Sequence, residues 1–135
     1  MEKIIWNDGF SVGVQELDKQ HQVLIGLINQ LIESEDAPVQ SETISDILSR
    51  MLEYTEFHFD AEEKYMAEYG YPDYEAHRMQ HLQFIRKTAQ LAMDTIAQKK
   101  SVPQDLLVYL RDWLTGHILN ADMQYKPFFN EHGLS

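Results

Sequence analysis

The 135-residue chain contains no cysteine. That absence excludes a disulfide framework, a thiolate zinc site and an iron–sulfur cluster, and it leaves nitrogen and oxygen as the metal donors available. Glycine and proline are scarce, six and four residues, and no segment recurs at a fixed period. Collagen-like, solenoid and propeller architectures are therefore excluded, and a helical domain is expected. Positive charge is scarce too: 11 Lys and Arg stand against 22 Asp and Glu, for a formal charge of -11. Such a surface repels phosphate backbones and anionic headgroups, so no nucleic-acid partner is expected. Long apolar runs are missing as well. Met1-Glu2-Lys3-Ile4-Ile5-Trp6-Asn7-Asp8-Gly9 lacks the apolar core of a signal peptide, and no later run approaches a membrane span. The expectation is a cytoplasmic protein with no membrane insertion.

What is present is helical periodicity. An α-helix turns once in about 3.6 residues, so buried positions recur every three or four along one stripe. Four segments meet that test, at about 14–34, 41–69, 73–98 and 102–128, after an N-terminal arm of about 13 residues that packs Trp6 and Phe10 on the bundle. The first segment aligns Leu17, Leu24, Ile28 and Leu31, with Asp18 as N-cap or first-turn acid, and runs out in Glu33-Ser34-Glu35-Asp36-Ala37-Pro38. The second starts near Ser41, aligns Ile44, Leu48, Met51 and Thr55, and stops at Gly70-Tyr71-Pro72-Asp73. The third aligns Phe84, Thr88, Leu91 and Thr95 and ends at Lys99-Lys100; Ser101 and Pro103 open the fourth, which aligns Leu106, Leu110 and Trp113. Short connections make consecutive helices antiparallel neighbours, so the predicted fold is an all-α, up-down-up-down four-helix bundle in one domain, 1–135.

The stripes are interrupted by polar residues where apolar ones are expected. His21 falls on the first, His58 and Glu62 on the second, His77 and His81 on the third, and His117 on the fourth. A lone histidine on an apolar face is ordinarily a hydrogen-bonded core residue. Five together are different, because burying each imidazole without a partner costs about 1–3 kcal/mol, and the stripes hold few other polar groups to supply one. A shared metal site satisfies all of them at once.

The axial heights agree with this. Residues at one level of an antiparallel pair lie symmetrically about their connection. The midpoint between the 58/62 pair and the 77/81 pair falls beside Gly70, and that between 77/81 and 117/122 falls at Lys99-Lys100. All four helices thus bring their polar interruptions to one level. Asp122 fits the stripe poorly, since five residues beyond His117 turn about 140° on an ideal helix. A π-type bulge would bring it round. Seven nitrogen and oxygen donors exceed a tetrahedral zinc site and suit two ions. The paired Glu-x-x-His motifs of carboxylate-rich ferritin-like bundles are absent.

The ordered set Trp6, Asp18-Lys19-Gln20-His21, His58-Phe59-x-x-Glu62, His77-x-x-x-His81 and Trp113-Leu114-x-x-His117-Ile118-x-x-x-Asp122-x-x-Tyr125 resembles the hemerythrin family, specifically its single-domain bacterial members. The resemblance implies two iron ions, ferrous or ferric, bridged by Glu62, Asp122 and an oxo or hydroxo group. His77, His81 and His117 would complete one iron, while His21 and His58 would hold the second and leave a position open. The implied function is reversible dioxygen binding, for storage, transport or delivery to an oxygen-consuming enzyme, by a monomer or weak oligomer that is not an enzyme. A mainly imidazole shell stabilises ferric iron less than a carboxylate-rich one, which favours reversible binding. The other readings are a di-iron peroxidase or oxidase, and a sensing module for oxygen, nitric oxide or iron; the lack of an appended signalling domain counts against the latter.

Leu24, Phe59, Trp113, Leu114 and Ile118 are the residues expected to wall an oxygen pocket against water. His132, in the tail, is expected to stay clear of the metal, and Met51, Met66, Met79, Met93 and Met123 are read as packing residues. Tyr125 is expected to pack or hydrogen-bond near the site.

Overall fold

The computed structural model describes residues 1–34, 42–98 and 104–135, with side chains omitted at 42–45 and 95–98. Four expected helix ends and caps, at 35–38, Ser41, Lys99-Lys100 and Ser101 with Pro103, lie outside the described residues, as do the side chains of Ile44 and Thr95.

Helices α1 (Gln15–Glu33), α2 (Glu42–Tyr69) and α3 (Tyr74–Gln98) are followed by α4 (Gln104–Gly116), a π-helical turn (His117–Asp122) and α5 (Met123–Glu131), which together make one continuous fourth helix. Each helix packs on its neighbours in chain order, and α1 closes the ring on α4. The result is an antiparallel up-down-up-down bundle. The apolar stripes meet at its centre, where Leu17, Leu31, Leu48, Met51, Leu106 and Leu110 are fully enclosed. Met79 and Met93, expected in packing, are instead exposed, the latter at 71%, because they fall off the buried stripe of α3.

The connection between α2 and α3 fixes the height at which their side chains meet. Gly70 adopts φ +73°, and the Tyr71 amide donates 2.8 Å to the Met66 carbonyl, the bond that closes a left-handed helix C-terminus. The Tyr71 ring is buried against Phe128 and Phe129, so the turn is held by packing as well.

The arm is tied down at both ends. Asn29 pairs with the Ile4 backbone in both directions, at 2.8 and 2.9 Å. Asp18, in the first turn of α1, accepts from Ser11 Oγ (2.6 Å) and the Val12 amide (2.8 Å). The residue preceding α1 is Val14, so Asp18 is the first-turn acid and not the N-cap. Trp6 and Phe10 stack at 5.7 Å against the bundle, as the sequence predicts.

Candidate metal centre

Five histidines and two carboxylates meet midway along the bundle. His21 comes from α1, His58 and Glu62 from one turn of α2, His77 and His81 from one turn of α3, and His117 and Asp122 from the two ends of the π turn. The i,i+4 spacings on α2 and α3 stack two side chains on one face. The π turn supplies what an α-helix cannot. Its wider i→i+5 hydrogen bonding takes up one extra residue, which turns Asp122 back to the face of His117. All seven are buried.

The ligand atoms fall into two overlapping groups. One comprises Glu62, His77, His81, His117 and Asp122; the other His21, His58, Glu62 and Asp122. Both carboxylates are shared. Asp122 presents Oδ1 to His77 Nε2 (2.9 Å) and His117 Nε2 (3.0 Å), and Oδ2 to His21 Nε2 (3.1 Å). Glu62 Oε1 stands 3.3 Å from the Nε2 atoms of both His58 and His81.

Without an ion this arrangement is poorly satisfied. His117 Nε2 faces His81 Nε2 at 3.1 Å and His77 Nε2 at 3.2 Å, three ring nitrogens with one another as neighbours. Three nitrogens on one face of an octahedral ion with bonds of about 2.1 Å stand about 3.0 Å apart, close to these separations. Among the described residues six buried side-chain polar atoms lack a hydrogen-bond partner, and five belong here: both His21 ring nitrogens, Glu62 Oε1 and both Asp122 oxygens. The donor set fits a pair of cations that prefer imidazole and carboxylate.

The charges respond to one another in the metal-free protein. Burial opposes protonation of His21, but Asp122 and Glu62 outweigh it and raise its pKa to about 9. Burial likewise opposes protonation of His81, and Glu62 with Glu63 raises it to about 9. His58 goes the other way, lowered chiefly by burial. Burial favours the protonated forms of Glu62 and Asp122, yet the facing imidazoles hold both well below the usual carboxylate range.

An outer layer orients the rings. Gln20 Oε1 lies 2.6 Å from His58 Nδ1, and Glu63 Oε2 lies 3.1 Å from His81 Nδ1. Such partners fix which nitrogen faces the metal. Tyr125 hydrogen-bonds Glu62. The Phe59 ring lies flat on His81 (centroids 3.6 Å, 2° between planes) and Trp113 flat on His117 (4.3 Å, 11°). Gln20 stands in the motif without an expected role, and Glu63 is not among the expected site residues. Gln20 carries a signal, since it sits on the stripe between Leu17 and Leu24; Glu63 carries none.

Leu24, Phe59, Trp113 and Leu114 line an apolar pocket of about 10 Å³, together with Ile28, Met51, Thr55 and Phe84. Ile118 is fully buried but does not line it. One residue of helix turns a side chain by about 100°, so the residue after His117 faces elsewhere in the core. His132 bonds its own helix at Phe128 and stays clear of the centre.

Fold and cluster together define a metal-binding four-helix bundle. The family model described as the hemerythrin HHE cation binding domain matches residues 12–129. A bacteriohemerythrin of Clostridium acetobutylicum is 32% identical over 126 residues, spanning 90% of this chain and 97% of that protein. One from Methylococcus capsulatus is 32% identical over 118 residues, 87% of this chain and 89% of its own length. A crystal structure of wild-type hemerythrin superposes with a TM-score of 0.83 at 30% identity, over 92% of this chain and 95% of that one. The chain belongs to the hemerythrin family. The family model is described as one of cation binding.

Proposed function

We propose that this single-domain chain binds dioxygen reversibly at a non-haem di-iron centre and so stores, carries or delivers oxygen. Its ligands would be His77, His81 and His117 for one iron, His21 and His58 for the other, and Glu62 with Asp122 for both. The observation that carries the reading is the sharing of both carboxylates between two otherwise separate histidine groups. When bound, the iron pair supplies reversible electron exchange with dioxygen.

The chain's own residues decide whether that exchange stays reversible. Five imidazoles and two carboxylates give a shell poor in negative charge. Gln20 and Glu63 hold the rings of His58 and His81 in one orientation, and Phe59 and Trp113 stack on those of His81 and His117. The apolar pocket has room for about one water-sized molecule and offers it no hydrogen bonds beyond Thr55, whose hydroxyl already donates 2.6 Å to the Met51 carbonyl. A small apolar gas is favoured there over water and over proton donors.

No described helix is long and apolar enough to cross a membrane, and we take the chain as a cytoplasmic monomer or weak oligomer with an oxygen-consuming enzyme as recipient. The test is an absorption spectrum of the ferrous protein before and after air, with an iron count, followed by removal of oxygen under argon. Two irons per chain and a band that appears and disappears with oxygen support the reading. One ion per chain, or a band that does not reverse, overturns it.

A further inference from the structure

Two of the seven clustered side chains differ from the rest in their access to solvent. His21, His58, Glu62, His81 and Asp122 are exposed by 1% or less, whereas His77 and His117 reach 4% and 7%. Both line an open cleft of about 450 Å³ between α3 and the fourth helix. Their Nε2 atoms point inward to Asp122, so the opposite ring nitrogens point outward. Nδ1 of His58 and His81 is held by a neighbouring side chain, but Nδ1 of His77 and of His117 meets no protein partner among the described residues.

The cleft is polar. Gln80, Gln83, Asn120 and Gln124 line its walls, and Asp73 and Asp112 stand beside them, both exposed. Arg111 Nε pairs with Asp112 at 3.0 Å, while Asp73 makes no ion pair among the described residues. Carboxylate and amide oxygens are the donors a hard divalent cation accepts in place of its water. The apolar pocket that Trp113 also lines, about 10 Å³, is too small for a hydrated cation and almost without polar lining.

Gly116 supplies a separate observation. It has ordinary helical angles, φ -63° and ψ -41°, and a Cβ built on it meets nothing within 4 Å. Neither backbone nor packing calls for glycine there, and glycine inside a helix is destabilising relative to alanine. What its missing side chain does is leave the cleft open directly beside His117.

We propose that this cleft is the port through which divalent cations enter and leave the centre, with Asp73 and Asp112 drawing in the hydrated ion and the amide walls replacing its water on the way to His77 and His117. The inference rests on the metal-centre reading above. It separates two traffics: ions pass through a wet polar opening at the three-histidine end, and dioxygen occupies a dry apolar one.

The experiment compares iron exchange in the full-length chain and in Gly116→Phe, whose ring would fill the cleft. Both are loaded by refolding with ferrous iron under argon, so that loading does not depend on the port. Release into an excess of a ferrous chelator and uptake by the metal-free chain are then timed. The port predicts that release and uptake slow by the same factor while affinity and iron content stay at wild-type values. Wild-type rates in Gly116→Phe, or a changed affinity with unchanged uptake, overturn it. The double variant Asp73→Asn, Asp112→Asn should take up iron about tenfold more slowly at low ionic strength and lose most of its salt dependence. Should Gly116→Phe fail to fold, unchanged uptake in this double variant overturns the port on its own. The iron count of the wild type tests the centre itself, independently of these rates.

Discussion

The Tyr125 hydroxyl donates a 2.5 Å hydrogen bond to Oε2 of Glu62, joining α5 to α2 through two fully buried side chains. Burial, and then the charges of Glu62 and Asp122, push the phenol well above its usual range, so it remains a protonated donor at any working pH. Tyr125→Phe should keep the fold but leave one carboxylate oxygen without its donor. The expected cost is about 1.5–3 kcal/mol in urea unfolding of the metal-free chain. Loss of iron to a chelator should rise about tenfold, the usual scale for partners of metal ligands. Wild-type values in both measurements would make Tyr125 an ordinary packing residue.

Metal uptake should release protons. His21 and His81, with pKa values of about 9 in the metal-free protein, are protonated at pH 7, and an imidazole must be neutral to bind a metal. About two protons per chain should appear when ferrous iron is added anaerobically at pH 7 in weak buffer with an indicator dye. No release would contradict the protonated state.

The same shifts set the pH dependence of the metal-free chain. Both histidines are raised above their unfolded value of about 6.5, so their contribution is full below that pH and fades as pH climbs through about 9. Glu62 and Asp122 are depressed, so theirs is full above the unfolded carboxylate range of about 4 and is lost on acidification. His58 is lowered, so it gives up stability as pH falls below its unfolded value of about 6.5, and urea midpoints of the metal-free chain should be highest near about pH 6.5, falling on acidification and toward pH 9. A flat profile over that alkaline interval would show that the two imidazoles are not charged.

The two histidine groups should not be equally tolerant. Replacing His58 leaves its group one imidazole and two shared carboxylates, whereas replacing His81 leaves two imidazoles and the same carboxylates. His58→Ala should lose the second iron more readily than His81→Ala loses the first, in iron counts after dialysis against chelator. Loss of both ions in both variants would mean that the pair assembles as a unit.

Leu114→Ala should spare the irons and shorten the life of the oxygenated form. Leu114 is buried, lines the apolar pocket and lies one turn before His117. Truncation enlarges the pocket at a cost of about 2–5 kcal/mol and admits water beside the polar cluster. The oxygenated absorption band should decay faster in air than in wild type, with two irons still present. Equal decay rates would reduce the pocket wall at Leu114 to simple packing.

The helices and six of the seven clustered residues were legible because burial imposes a 3.6-residue rhythm on which a misplaced His or Glu stands out. Asp122 was the exception. Its spacing from His117 breaks that rhythm, and the motif, with a π turn to accommodate it, was needed to include it. Gln20, on a buried stripe, was readable but easily taken for helix surface, while Glu63 reaches His81 across a helix interface that no local pattern encodes. Ile118, named for its place beside His117, lies fully buried in the core and outside the lining of that apolar pocket. The Gly116 cleft was invisible for a further reason: a missing side chain leaves no periodic trace.

The π turn lets the last helix absorb a one-residue deletion that would shift the phase of the other three. Removing one residue, such as the exposed Leu119, would let the segment relax to an ordinary α-helix without harming local stability. Asp122 would then stand four positions after His117, still on the face of the centre, and Tyr125 and Phe129 would stay in the core. The surplus residue is thus an insertion the helix has swallowed, with the chemistry of one turn and the packing of the next left in register.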